Sequence, residues 1–327
     1  MQTMAAVQKQ RSIGSIQFLP VNLFAAVMGI SGLSLAWRQA SKAFGISTAI
    51  ADSCGMIAVL IFIVLGVGYL TKWFLYPQRV KAEFNHPITG NFFGTIPIAI
   101  LLLSTVIGMY SERSGQALWV TGTTLALILC VVFVSRLLNG NLEPVHKVPA
   151  TLVPVVGTLD IPVAGGTMPF PWAHEINLMS LAIGGIVALV YITLIFSRLA
   201  HHAPMPPGLT PSLIIMIAPF EVGFLGYTNF EQRIDPFASL LYYFGLFLFI
   251  VLFFKVFRKS IPFSASWWGI SFPIAALTNA ALKYGMYVDS WPLIAVSVLL
   301  LALLSIVIVV LFVRTVSMLV NGSLLKG

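Results

Sequence analysis

Ten apolar stretches, at 18–38, 49–72, 90–110, 116–138, 149–167, 175–198, 211–229, 237–257, 263–284 and 290–320, take up nearly all of a chain of 327 residues. Each is close to the roughly 20 residues that an α-helix needs to cross a bilayer core. The joints between them are too short for an extramembrane domain. Soluble folds carry about 25% charged residues, whereas this chain has 9% charged and 58% hydrophobic residues and a mean hydropathy of +0.97. It lacks the polar groups to cover a water-exposed surface. A transmembrane β-barrel would alternate polarity within each strand instead of presenting unbroken apolar blocks. The sequence therefore predicts an all-α integral membrane protein, a single transmembrane domain over 1–327. It excludes a soluble enzyme, a disulfide scaffold and a nucleic-acid-binding domain. The first stretch follows Lys9 and Arg11, but it is long, contains Pro20 and Asn22 and lacks a small-residue cleavage site. It reads as a retained helix.

The net charge of +8 has a directional meaning. With the N-terminus in the cytoplasm, thirteen basic residues fall inside: Lys9, Arg11, Lys72, Arg79, Lys81, Arg136, Lys147, Arg198, Lys255, Arg258, Lys259, Arg314 and Lys326. Five fall outside, Arg38, Lys42, Arg113, Arg233 and Lys283. This positive-inside bias places both termini in the cytoplasm of a multi-pass protein of the cell (inner or plasma) membrane. All seven tryptophans lie near span ends, as in an interfacial belt. Cys54 and Cys130 fall within spans and read as lipid-facing or packing residues, with no disulfide framework.

Prolines divide the spans into two kinds. Pro20, Pro97, Pro154, Pro162, Pro219 and Pro273 enter or interrupt spans one, three, five, seven and nine, while the even spans have only Pro292, at a first turn where proline is tolerated. The spacings from Pro97 to Pro154, Pro219 and Pro273 approximate one helical hairpin each, so the chain reads as five hairpins of about 65 residues. Carbonyls freed at a kink need protein or a water-filled cavity. Kinked odd helices are therefore expected to ring a central pore, inside a wall of five even helices. Ordinary packing kinks are the competing reading. A second repeat precedes the odd spans: Glu83-Phe84-Asn85-His86-Pro87, then Glu143-Pro144-Val145-His146, with His201 and His202 before span seven. Glu-x-x-His is a metal-ligand spacing on a helix, but prolines interrupt it here and the copies sit in different loops. Turn formation and capping are expected, and no metal or cofactor is implied.

Taken in order, Ala26-Val27-Met28-Gly29-Ile30-Ser31-Gly32-Leu33, Ala82-Glu83-Phe84-Asn85-His86-Pro87, Pro154-Val155-Val156-Gly157, Pro211-Ser212-Leu213 with Ala218-Pro219, and Ser266-Trp267-Trp268-Gly269-Ile270-Ser271-Phe272-Pro273 resemble the tellurite-resistance/dicarboxylate transporter family. That family includes the bacterial tellurite-resistance membrane protein, whose type this chain follows, and the plant slow anion channels. The resemblance runs from about Phe18 to Val320. It implies five inner and five outer helices around a central anion path, three such subunits associating as a homotrimer with one pore each, and a phenylalanine plug in the ninth helix. The matching residue is Phe272, where an aromatic ring beside the Pro273 kink can block a narrow path. A plain packing role is its alternative.

Three inner-helix positions depart from the apolar family pattern: Asp160 in span five, Glu221 in span seven, and Asn279 in span nine, one turn before Lys283. An acid at mid-membrane costs about 2.5–3.5 kcal/mol on insertion scales, so these acids are expected to face the pore. Either Asp160 and Glu221 share a proton or bind a cation, or one of them forms a structural pair with Lys283. No catalytic constellation is present, and Gly165-Gly166 and Gly184-Gly185 lack the Lys-Ser/Thr that a phosphate loop needs. The leading expectation is an anion channel or exporter. The alternative is a proton-coupled carrier for a C4-dicarboxylate or an oxyanion such as tellurite or sulfite. An intramembrane enzyme has no nucleophile, metal cluster or cofactor motif to support it. The partners implied are a small anion, the lipid bilayer and further copies of the chain, with no nucleic acid. Nothing in the inner helices selects one anion.

Overall fold

The computed structural model describes residues 15–140, 143–258 and 261–325; Lys9, Arg11, Lys259 and Lys326 of the charge count lie outside them. All regular structure among the described residues is helical. In chain order the α-helices are α1 (Phe24–Phe44), α2 (Ala49–Leu75), α3 (Pro77–Asn85), α4 (Thr95–Gly108), α5 (Glu112–Leu138), α6 (Val153–Leu159), α7 (Ile161–Gly165), α8 (Ala173–His201), α9 (Ala218–Glu231), α10 (Pro236–Val256), α11 (Ser271–Val288) and α12 (Trp291–Val320).

Eight helical segments among the described residues are long and apolar enough to cross a membrane: Val21–Phe44, Ala49–Leu75, Thr89–Gly108, Glu112–Leu138, Ala173–His201, Pro207–Glu231, Pro236–Val256 and Trp291–Val320. At 1.5 Å per residue each reaches about the 30 Å of a hydrocarbon core. The apolar stretch at 149–167 gives the shorter helical segment Pro149–Gly165, broken into α6 and α7 at Asp160. The stretch at 263–284 gives α11, made more polar by Ser271, Thr278, Asn279 and Lys283. The protein is thus a multi-pass membrane protein.

Burial separates the segments. Val21–Phe44, Thr89–Gly108 and Pro207–Glu231 have 72–83% of their most apolar window buried, while α2, α5, α8, α10 and α12 have 17–39%. The exposed helices turn Leu60, Phe74, Ile186, Leu240, Phe254 and Leu299 outward, a surface that only lipid or another apolar face can cover. Packing closes a circle. Helix α1 touches α4, α4 touches α6 and α7, these touch α9, α9 touches α11, and α11 returns to α1. Each exposed helix packs on the ring element before it in sequence and on the next one round: α2 on α1 and α4, α5 on α4 and α6, α8 on α6 and α9, α10 on α9 and α11, α12 on α11 and α1.

Local chemistry sets the ends and the close approaches. Ser111 accepts from the Ser114 N–H (3.4 Å) at the start of α5, and Asp235 accepts from the Ala238 N–H (2.9 Å) at the start of α10, satisfying N–H groups that a helix leaves open. The Ala238 N–H and the Tyr227 hydroxyl hold the Asp235 carboxyl below the usual carboxylate range. Its capping contribution is therefore complete above that range and is lost as pH falls through the lowered value. Gly108 of α4 and Gly115 of α5 meet so closely that a Cβ on Gly115 would lie 2.6 Å from the Gly108 Cα. Small residues permit such helix contacts in membranes.

A buried ion pair fixes the segment that leads into α1. Lys72 Nζ of α2 lies 2.5 Å from Glu83 Oε2 of α3, which also accepts from the Tyr69 hydroxyl (2.8 Å). Glu83 Oε1 accepts from the Val21 N–H (2.9 Å), and Lys72 donates to the Leu19 carbonyl (2.8 Å). In the same turn, His86 Nδ1 accepts from the N–H groups of Ile88 and Thr89 at 3.2 and 3.1 Å. The first Glu-x-x-His group thus has its acceptors engaged within the protein, capping one segment and forming a turn. Glu143 precedes a second turn, the 3-10 helix Pro144–His146.

Candidate functional site

The prolines do not stand in the middle of long helices. Each ring element begins as a 3-10 helix, Val21–Leu23, Thr89–Gly94, Pro149–Leu152, Pro207–Ile217 or Ala265–Ile270, and then becomes an α-helix. Pro97, Pro154, Pro219 and Pro273 lie in the first turn of the α-helical part, and Pro20 directly precedes Val21. Changing from i→i+3 to i→i+4 pairing disturbs the ladder just where proline has no N–H to offer. Hydroxyls donate to carbonyls three residues back in these elements, at or next to the joint except in the fourth, where Ser212 lies within the 3-10 stretch. Thr95 donates to Phe92 O (2.6 Å), Thr151 to Val148 O (2.8 Å), Ser212 to Leu209 O (2.7 Å) and Ser271 to Trp268 O (2.7 Å). Four of the five ring elements share this back-bond. It was not read from the sequence, although Thr95-x-Pro97 and Ser271-x-Pro273 are a visible trace of it.

Two cavities lie within the ring. The lower one, at the end where the ring elements begin, is only about 20 Å³ and is lined by Ala25, Met28, Ile98, Val156, Ala218 and Phe272 among others. The upper one is about 380 Å³. All five ring elements contribute to each. Phe272, 6% exposed, lines both. Below it the walls are almost wholly apolar and leave room for about one water.

The upper cavity carries the polar groups. Asp160, Asn279 and Lys283 all line it, with Arg38 and Lys42 of α1 and Asn229 of α9. Asp160 occupies the break between α6 and α7, which proline at 162 helps to impose. Side chains support that break: Trp119 Nε1 donates to Ile161 O (3.0 Å) and Asn229 Nδ2 to Val163 O (2.7 Å). Asn229 Oδ1 accepts from Lys283 Nζ, a partner the sequence reading missed because it lies 54 residues away. Asn279 Nδ2 donates to Gly32 O (3.0 Å) and Ala275 O (2.8 Å), linking α11 to α1. Arg38 is paired with Asp52 and also meets the Tyr110 hydroxyl. Asp160 is 2% exposed and its Oδ2 has no hydrogen-bond partner. No ion pair among the described residues includes Asp160, Glu221 or Lys283, so the second of the two alternatives, a structural pair of an acid with Lys283, is not what the structure places there.

Glu221 is elsewhere. Val222 and Leu225 of α9 face the upper cavity, whereas the Glu221 carboxyl lies against Gly245 of α10, where a Cβ would not fit. It is fully buried, with neither oxygen hydrogen-bonded. The expectation that it faces the central space beside Asp160 is therefore corrected: one helical step of about 100° carries it to the α9–α10 contact.

Residues 19–316 match the family model described as voltage-dependent anion channel (SLAC1). Among similar proteins, the S-type anion channel SLAH2 of Arabidopsis thaliana is 26% identical over 274 residues, covering 81% of this chain and 52% of the relative. The tellurite resistance protein TehA homolog of Haemophilus influenzae is 23% identical over 271 residues, covering 81% of each. The sulfite efflux pump SSU1 of Arthroderma otae is 23% identical over 274 residues, covering 72% of this chain and 73% of the pump. The chain spans about half the length of the plant channel it matches. With a family model covering nearly the whole chain and a closed ring of interrupted helices beneath it, the protein belongs to the voltage-dependent anion channel family, a family of anion channels and transporters.

Proposed function

We propose that this protein is an anion channel or exporter whose path runs along the axis of the ring and is closed by the ring of Phe272. In this reading α6 with α7, and α11, complete the set of crossings: ten helices in five hairpins, the interrupted members inside and α2, α5, α8, α10 and α12 outside. Both termini are cytoplasmic, so the lower cavity opens towards the cytoplasm of a cell-membrane protein. The path lies within one chain, and three copies associate with one path each. Pro97, Pro154, Pro219 and Pro273 shape the path, and the function is transport, not catalysis.

One observation carries the reading: Phe272 borders both axial cavities, each walled by all five ring elements. A narrow apolar constriction resists wetting and excludes ions until its side chain moves. Above it, Lys42 and Lys283 add positive charge to a cavity with one carboxyl, Asp160. A proton-coupled carrier is the second reading, favoured by Asp160 alone, since Glu221 lies outside the cavity.

Purified protein in liposomes tests the proposal. With a potassium ionophore to balance charge, chloride and nitrate are expected to leave protein-containing vesicles faster than protein-free ones, and potassium is expected to stay when the ionophore is omitted. Potassium release without ionophore, or anion release at the protein-free rate by both wild type and Phe272→Ala, contradicts the channel reading.

A further inference from the structure

We infer that the groove between α10 and α12 is a binding site for an anionic phospholipid, whose phosphate lies between the guanidinium groups of Arg258 and Arg314 and whose acyl chain lies along α12. The groove encloses about 460 Å³. Its walls come from two of the exposed helices and the segment before α11, so the inference does not depend on what passes along the axis of the ring.

The shape of the groove follows from α12. Leu303, Ile306, Val307, Val310, Leu311 and Arg314 line it, spaced as one face of an α-helix and apolar up to the last position. At 1.5 Å per residue the rise from Leu303 to Arg314 is about 16 Å, half of a hydrocarbon core of about 30 Å. The stripe is therefore one leaflet deep and ends in a cation at the level of the headgroups. The facing wall is made by Phe257 and Arg258 at the end of α10, with Phe263 and Trp267 from the segment that leads into α11. Trp267 Nε1 donates to Pro262 O (3.0 Å) and fixes this wall, and an indole suits the membrane interface.

The charge at the head of the groove is unanswered within the chain. Arg314 Cζ lies over the Phe263 ring, 5.4 Å from its centroid, and Arg258 donates through Nε to Phe254 O (3.2 Å). Both side chains are exposed, and no ion pair among the described residues includes either. No acidic side chain lines the groove. Each guanidinium has five N–H bonds in a fork that fits phosphate oxygens. A second copy of the chain would cover the apolar stripe but bring little charge to the arginines. At the end of the molecule where the ring elements begin, the acidic side chains are Glu83, already paired with Lys72, and Glu143. An anionic phospholipid supplies both parts, a chain for the stripe and a phosphate for the cations, and basic pockets between membrane helices hold such headgroups. A zwitterionic lipid has the same phosphate but adds a quaternary ammonium that the arginines repel.

The test counts the lipids that the folded protein retains in native mass spectrometry after mixing in detergent with equal amounts of dioleoyl phosphatidylglycerol and dioleoyl phosphatidylcholine, which share their chains. Wild type is expected to retain phosphatidylglycerol about tenfold over phosphatidylcholine. Arg258→Gln with Arg314→Gln is expected to bring the ratio close to one. Arg79→Gln with Lys81→Gln, which removes as much charge from exposed positions of α3 at the same end, is expected to leave the ratio unchanged. Val310→Trp, which fills the groove and keeps both arginines, is expected to lower phosphatidylglycerol retention about tenfold. Equal retention of the two lipids by wild type, a preference that survives loss of both groove arginines or the filling of the groove, or an equal loss in the α3 control overturns the inference. So does a disulfide formed between copies by Val310→Cys in cell membranes, with Cys54 and Cys130 replaced, since a second copy would then occupy the groove.

Discussion

Replacing Phe272 by alanine is expected to raise chloride and nitrate current by about a hundredfold in membranes containing equal amounts of protein. The argument is steric and dielectric. Phe272 lines both a cavity of about 380 Å³ and one of about 20 Å³, and the side chains of Ala25, Met28, Ile98, Val156 and Ala218 in the smaller one offer an ion no hydrogen bonds. Removing the ring lets water run between the cavities. A hundredfold change corresponds to about 2.7 kcal/mol in barrier, modest beside the cost of stripping an ion of water. Phe272→Leu, which keeps some bulk, is expected to give an intermediate current. Deleting a packed phenylalanine costs about 3–5 kcal/mol, and since this ring borders empty space the loss is expected at the low end of that range. Current is therefore expected to be normalised to protein in the membrane.

The largest effect on stability is expected at the Lys72–Glu83 pair. Lys72 is 3% exposed, and its ammonium contacts the Glu83 carboxylate at 2.5 Å and the Leu19 carbonyl at 2.8 Å. Breaking a buried pair by removing one partner costs about 3–5 kcal/mol, because the other charge is left unpaired. Lys72→Met is expected to lower the unfolding temperature in detergent sharply and to free the segment before α1 from α2 and α3. The double variant Lys72→Met, Glu83→Gln is expected to recover much of that loss, since it strands no charge; the Gln amide can still accept from the Val21 N–H. Equal destabilisation by the single and double variants contradicts this account.

Eight of the ten stretches read as crossings give helices long and apolar enough to span, legible because apolar length is a direct requirement of the bilayer. The prolines likewise mark the interrupted elements, and Phe272, singled out beside Pro273, lines both cavities within the ring. Other features depend on angle or distance and are not legible. A 3-10 helix of three to six residues turns 120° per residue against 100° for an α-helix, a difference too small to alter a pattern of uniformly apolar residues; Thr89–Gly94 and Ala265–Ile270 are therefore invisible to periodicity. Glu221 shows the same limit. In a helix apolar on every side no stripe fixes the inward face, and Val222, not Glu221, takes it. Lys72, counted from its position as an orientation charge, has its ammonium bonded inside the protein because α3 folds back and brings Glu83 to it. Asn229 gave no sequence signal at all, yet it joins Lys283 to the broken segment at Val163.

The most direct test of the axial path is thiol accessibility across Phe272. With Cys54 and Cys130 replaced by alanine, one reporter, Ala276→Cys, lines the upper cavity and another, Ala25→Cys, lines the lower. A charged thiol reagent is applied from the side onto which the upper cavity opens. The account predicts that Ala276→Cys reacts in both backgrounds, and that Ala25→Cys is protected while Phe272 is present and reacts once it is alanine. Reaction at Ala25→Cys with Phe272 in place, or its continued protection in Phe272→Ala, would show that this side chain does not close a path through the ring.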